Sequence, residues 1–299
     1  MSDACTTKRR TNREMAAFRQ ALFDIVERNH PCSGRQVYYV GIGSLWEKDR
    51  GGSRRSYNDA IRNLGHMRES GMIPWGWITD ATRYVRIETM YASPQEALDR
   101  WSEAYRRDLW SQQPRRIEVW AESDSTSSLV ESVTRPLGVG LYSCRGQASK
   151  EFAHNAASVY MSLGKPVTIL YLGDWDPSGL AIPRSLEERL NRYSNDEIEI
   201  DFQRFAITPA NVHDDDLQSH EVNTADRNYR RFAEECTLVG LAPQVAVEVE
   251  AMSPPLLRNR LKRRLYDLVG DATMWNATLA AEESEREIFR RMATSGVTS

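Results

Sequence analysis

Two carboxylates one residue apart close an apolar run in the stretch LYLGDWDPSG, residues 170 to 179, where Asp174 and Asp176 precede a Pro177-Ser178-Gly179 turn. In extended chain, residues two apart project to the same side, so this pair points together. Anionic groups held that close repel unless a cation lies between them. Mg²⁺ suits such a place, because it takes hard oxygen ligands, uses one or two carboxylates and leaves positions for water and phosphate oxygens; Mn²⁺ is the alternative. An earlier apolar run, IEVWAE at 117 to 122, also ends in an acid, Glu122. DWDPSG on its own reads as an ordinary turn. The second acid at a strand end raises it to an expected metal site of Glu122, Asp174 and Asp176. A sugar hydrolase is disfavoured, since its two carboxylates normally sit on separate elements several ångströms apart.

The elements that must position these acids follow from the rhythm of the chain. From residue 115 apolar strands alternate with amphipathic helices: RRIEVWAE, STSSLVESVTRPLG, VGLYSCRG, ASKEFAHNAASVYMSLG, PVTILYLGDW, SGLAIPRSLEERLNRY with Ser178 as its cap, then IEIDFQRFAIT. Repeated βα units predict a mostly parallel, buried sheet with helices on its faces. Ligands bind such sheets beyond the carboxyl ends of the strands, where the three acids fall. The expected fold class is therefore α/β over 115–299.

The chain before this is different. Residues 1–13 read as a basic arm containing KRRTNR, and Glu14 to Arg28 as an amphipathic helix ended by NHPCSG. RQVYYVGIGSLW suits a second helix or a strand. The basic, glycine-rich EKDRGGSRR, with Arg54 and Arg55 as candidate DNA contacts, leads into a third helix over SYNDAIRNLGHMRESG. IPWGWITDATRYV then resembles a hairpin. Helices, a basic turn, a helix and a hairpin are the order of a winged helix-turn-helix over 14–92. Residues 93–113 predict one capped linker helix, with the break near Pro114.

Composition bounds the function. Of 299 residues 40% are apolar, enough for a sizeable core in two domains. The four cysteines have no C-x-x-C spacing, and His66, His154, His213 and His220 have no pairing at metal spacing, so neither disulfides nor zinc are expected. No apolar run reaches the roughly 18–20 residues of a membrane span and the N-terminus is too polar for a secretory signal, so a soluble cytoplasmic protein is expected. Net charge is −3, but residues 1–116 hold 20 Lys or Arg against 14 Asp or Glu, net +6, and the remainder 19 against 28, net −9. A basic first part can track phosphates while an acidic second part holds metal. The cationic RNRLKRRL, 258 to 265, reads as a solvated helix face. No G-x-x-x-x-G-K-[ST] occurs, so ATP use would need a separate subunit.

Taken together, a strand ending in Glu122, a later D-x-D and the intervening SCRGQAS resemble the Toprim domain of topoisomerases, primases and related nucleases. RQVYY, residues 35 to 39, with YNDAIRNLGHMRESGMIP after it, is similar to the R-x-x-Y-Y segment of the topoisomerase VI A subunit and its meiotic double-strand-break relatives. VEVEAMSPPLLRNRL, 247 to 261, resembles their late segment, and the short length resembles the compact "mini-A" versions. The resemblance implies Tyr39 as nucleophile, Arg35 beside it, Glu122, Asp174 and Asp176 as Mg²⁺ ligands and Arg145 in a substrate-facing loop. It departs at Ser123, where the family often has Lys. It further implies double-stranded DNA as substrate, a 5′-phosphotyrosyl link, a homodimer, a separate GHKL-type ATPase subunit and association with the nucleoid. A Toprim nuclease using activated water, and a non-catalytic DNA-binding module, are the alternatives. Without that resemblance, VYY reads as two packed aromatics.

Overall fold

The computed structural model describes residues 11–47, 54–79, 89–144, 150–215 and 217–295. Its centre is the strand VTILYL, every residue of which is buried, as a parallel strand covered on both faces requires. Four parallel strands, β3 (Arg116–Ala121), β4 (Gly140–Ser143), β5 (Val167–Leu172) and β6 (Ile200–Ala206), lie in the order β4-β3-β5-β6. The connecting helices are α5 (Asp124–Thr134), α6 (Lys150–Leu163) and α7 (Pro177–Tyr193). The α/β expectation holds for this unit.

The strand order fixes where a ligand belongs. From β3 the chain steps to β4 on one side, then returns past β3 to β5 and β6 on the other. Strand order therefore reverses between β3 and β5, and the crevice beyond their carboxyl ends is the position where open α/β sheets bind ligands. Glu122 follows β3 and Asp174 follows β5, so both flank this crevice.

In the N-terminal part, α1 (Asn12–Asn29) opens on a capping box between Thr11 and Glu14. A two-residue β1 (Cys32–Ser33) pairs in parallel with β2 (Ile78–Thr79), and α2 (Gly34–Val40) and α3 (Arg55–Glu69) lie between them. The helix-or-strand ambiguity at RQVYYV resolves as helix because Ser33 accepts from the Gln36 N–H while the Gln36 side chain accepts from the Ser33 N–H. The third helix starts at Arg55 with no side-chain cap, one residue before the Ser56 at which the predicted helix begins. Of IPWGWITDATRYV, the expected hairpin, residues 73–79 form a 3-10 turn at Trp75–Trp77 and then β2, which pairs in parallel with β1, and residues 80–85 lie outside the described residues.

Two expectations need correction. The 93–113 linker helix stops early: α4 is Pro94–Ala104, and Tyr105 turns to an extended backbone. Beyond it Trp110 is buried and its Nε1 donates to Leu137 O at 2.8 Å, while the Arg107 N–H donates to Glu282 at 2.9 Å. Those tertiary bonds outweigh helical periodicity. Rather than bridging alone, α4 packs along the C-terminal α11 (Ala272–Ser295). The cationic segment 258–265 lies in α10 (Pro254–Asp267), and it is only partly a solvated face. Arg258 donates to Pro31 O and to Leu129 O, tying the N-terminal part to α5; Arg260 pairs with Asp215 and Arg264 donates to Gln203. Lys262 and Arg263 are exposed. The remaining elements are α8 (Pro209–Asp214), β7 (Ser219–Glu221), α9 (Tyr229–Leu238) and β8 (Val245–Val247), with β7 and β8 antiparallel.

Candidate active site

Gly173 leads from β5 into the acids, and its lack of a side chain is required. A Cβ there would stand 2.7 Å from Glu122 Oε2 and 2.3 Å from the Tyr171 ring. With hydrogen in that place, the Asp174 N–H donates to Glu122 Oε2 at 3.1 Å and the Tyr171 hydroxyl donates to the same oxygen at 3.3 Å. Asp176 then caps α7, accepting from the Gly179 N–H at 2.6 Å; it takes the capping place expected of Ser178. Gly179 is held tightly as well, since a Cβ would lie 2.1 Å from Asp174 O. Glu122 and Asp174 are thus joined at the β3–β5 crevice, and Asp176, two residues on, is held as the cap of α7.

Their electrostatics show how close they are. Burial, then the Asp176 charge, pushes Glu122 up to about 7, against the smaller opposing pull of the Asp174 N–H and Arg204. Burial, then Glu122 and Glu250, raises Asp174 well above the usual carboxylate range. Each acid keeps one oxygen that accepts no hydrogen bond within the described residues: Glu122 Oε1, Asp174 Oδ2 and Asp176 Oδ2. An all-oxygen, mutually repelling set is the donor chemistry of a hard divalent cation. Among the described residues no three His, Cys, Asp or Glu side chains are placed to hold one ion; what the acids share with a Mg²⁺ or Mn²⁺ site is the oxygen donor type.

Arg204 on β6 is the internal cation of this cluster. Its guanidinium donates to the carbonyls of Gly173 at 2.9 Å, Asp174 at 3.2 Å, Ile207 at 3.2 Å and Gly179, and lies over the rings of Tyr171 and Trp175. It fixes the loop that carries both aspartates.

Tyr39 and Arg35 share α2, and both meet the segment after β8. Arg35 Nη2 pairs with Glu248 at 3.0 Å, Arg35 Nε lies 3.6 Å from Glu250 Oε1, and the guanidinium covers the Tyr39 ring at 5.7 Å. Glu248 and Arg35 are the charged neighbours that act on the Tyr39 phenol. Tyr39 is 9% exposed, and burial, then Glu248, raises its phenol above the usual range. Arg35 pulls the other way and is outweighed. His220 Nε2 stands 4.0 Å from Glu248 as well. Between the two glutamates, the Val249 N–H donates to Asp174 Oδ1 at 2.8 Å. One short segment therefore meets the Arg35–Tyr39 pair through Glu248 and the acids through Val249.

Arg54 and Arg55 are exposed where α3 begins. Arg145 lies outside the described residues. Ser123 caps α5 by accepting from the Thr126 N–H at 3.1 Å. Glu248, Glu250 and Arg204 were not singled out from sequence. The available signals were the alternation V-E-V-E and a lone arginine within the apolar strand DFQRFA.

No protein-family model matches this chain, and no curated protein matches it. No helix of the described residues is long and apolar enough to cross a membrane.

Proposed function

We propose that this chain cleaves double-stranded DNA by tyrosine transesterification, with the character of a type IIB topoisomerase A subunit: a winged-helix part carrying Tyr39 and a Toprim part carrying Glu122, Asp174 and Asp176. The observation that carries this reading is the segment 248–249: Glu248 pairs with the Arg35 that covers the Tyr39 ring, and the Val249 N–H donates to Asp174 Oδ1. A phenol, a carboxylate partner for its proton and an acid cluster at the sheet's switch point are the parts the reaction needs.

Glu122, Asp174 and Asp176 are the residues that would hold the divalent cation. When bound, Mg²⁺ supplies positive charge against the charge developing on phosphoryl oxygens and leaving group. Tyr39 Oη forms the new bond to phosphorus as its proton passes to Glu248, and the bond from phosphorus to the 3′ oxygen breaks. The 3′ oxygen takes up a proton, leaving a 3′ hydroxyl and a 5′-phosphotyrosyl link. Arg35 positions both partners through its contacts with Glu248 and the Tyr39 ring. One tyrosine cuts one strand, so a double-strand break calls for two copies of the chain. Arg54, Arg55 and Arg145 are proposed phosphate contacts. A separate ATPase subunit would power any strand passage, and the nucleoid is the proposed location.

A second reading is favoured by the burial of Tyr39: a Toprim nuclease in which activated water attacks in its place. Supercoiled plasmid and Mg²⁺ separate the two. Transesterification predicts loss of cutting in both Tyr39→Phe and Asp174→Asn. Hydrolysis predicts cutting that survives in Tyr39→Phe and vanishes in Asp174→Asn.

A further inference from the structure

Helix α10 gathers three arginines on one side. Arg260, Arg263, Arg264 and Asp267 stand at i, i+3, i+4 and i+7, so they share a face, beside the Leu257, Leu261 and Leu265 row that enters the core. That face lines a cavity of about 270 Å³, whose wall is completed by Phe205, Ala206, Asn211 and Met252. The cavity lies at the carboxyl end of the edge strand β6 and is lined by none of Glu122, Asp174 and Asp176.

The three arginines are not equivalent. Arg260 is neutralised: it donates to both Asp215 oxygens, at 2.5 and 2.6 Å, and the Asn211 amide donates to Asp215 at 3.0 Å. Arg264 is held but not neutralised. Its Nη2 donates to Gln203 Oε1 at 2.8 Å, an amide oxygen turned toward it because Gln203 Nε2 donates to Asp201 Oδ2 at 2.6 Å. An amide orients a guanidinium and leaves its charge in place. Arg263 is exposed and makes no hydrogen bond or ion pair with the described residues, and Asp267 pairs with neither arginine. Like charges this close on a helix repel, and an anion in the cavity removes that repulsion.

We propose that this cavity is an oxyanion site that takes one phosphate group on Arg263 and Arg264, either from a small phosphate ester whose organic part lies on Phe205 and Met252 or from a nucleic-acid backbone passing the rim. The site goes beyond the DNA-cutting reading and stands without it. Guanidinium N–H forks match the geometry of phosphate oxygens. Asp267 repels a second phosphate, which limits the ligand to one.

The full chain, in chelator and at low ionic strength, is titrated by calorimetry with inorganic phosphate, with adenosine monophosphate and with a short DNA duplex. Binding of either small phosphate identifies a small ester as the source, and binding of the duplex alone identifies a backbone contact. In whichever arm binds, Arg263→Gln is expected to weaken binding about tenfold, and Arg263→Gln combined with Arg264→Gln to abolish it. Arg264→Lys keeps the charge but not the fork and should fall between wild type and Arg264→Gln. Lys262→Gln removes an exposed charge of the same helix outside the cavity and should stay within about twofold of wild type. Wild-type protein that binds none of the three at millimolar concentration overturns the proposal, as does a Lys262→Gln loss equal to that of Arg263→Gln. Should the double variant fail to melt cooperatively, Arg263→Gln decides alone, since its exposed side chain holds nothing in the fold: binding within about twofold of wild type overturns the proposal.

Discussion

Arg204→Met removes the internal cation of the acid cluster and leaves four carbonyls, those of Gly173, Asp174, Ile207 and Gly179, without their donor. A hydrogen bond to a charged group contributes about 1.5–3 kcal/mol. Four cannot be summed, since Gly173 O keeps the Ile207 N–H at 2.7 Å and the variant loop relaxes. Loss of one buried charge partner costs about 3–5 kcal/mol, and that range is the expected loss in chelator at neutral pH. At roughly 2–4 °C per kcal/mol for a chain of this class, melting should fall by about 6–20 °C. Arg204→Lys keeps a charge but not the planar fork that reaches several carbonyls, so it should fall between wild type and Arg204→Met. Glu122 and Asp174 lose a favourable neighbour in Arg204→Met, so millimolar Mg²⁺ should raise its melting temperature by more than it raises that of the wild type. Urea and thermal unfolding with and without Mg²⁺ measure this. A loss under about 1 kcal/mol, or a Mg²⁺ increment no larger than in wild type, would refute the role given to Arg204.

Stability in chelator should depend on pH through Glu122. Its folded pKa of about 7 lies above the ordinary 4.5, so between those values the folded state holds a proton that the unfolded state has released, and stability falls as pH rises through the window. The loss is on the order of 2–3 kcal/mol, and Glu122→Gln should flatten it; equal urea midpoint differences between pH 5 and pH 8 in both proteins would contradict the assignment. Two glycines should respond with opposite sign. Gly179→Ala drives a Cβ to 2.1 Å from Asp174 O and should cost about 3 kcal/mol, whereas Gly65→Ala in α3 meets nothing within 4 Å and should stabilise by about 0.5–1 kcal/mol. Denaturant midpoints of the two variants check both. Glu248→Gln keeps the shape beside Tyr39 but not the proton acceptor, and should slow plasmid cutting by about 10²-fold or more with binding of uncut DNA unchanged; cutting at the wild-type rate would remove Glu248 from the chemistry.

The parallel sheet was legible because its strands are apolar runs bounded by helical periodicity, VTILYL above all. The acids were legible as the residues that end those runs. What escaped has physical reasons. VYYV suits helix and strand alike, and the deciding signal was the Ser33–Gln36 capping box just before it. The overlong 93–113 helix came from a pattern that cannot see Trp110 burying itself against Leu137. Asp176 and Ser178 are both good caps, and only the bond to Gly179 distinguishes them. Glu248 and Glu250 were quoted in sequence without a role because their partner, Arg35, lies 213 residues before Glu248. Arg204 is a cation in a strand, an oddity whose use appears only once the Asp174 loop folds over it.

The central claim concerns which atom attacks DNA. Purified protein is incubated with Mg²⁺ and supercoiled plasmid, the reaction is stopped with detergent, and peptides left on the DNA ends are mapped by mass spectrometry. The account predicts linear DNA whose 5′ ends carry a peptide joined through Tyr39, with free 3′ hydroxyls opposite. Cut DNA with free 5′ phosphates and no attached peptide, produced equally well by Tyr39→Phe, would contradict it.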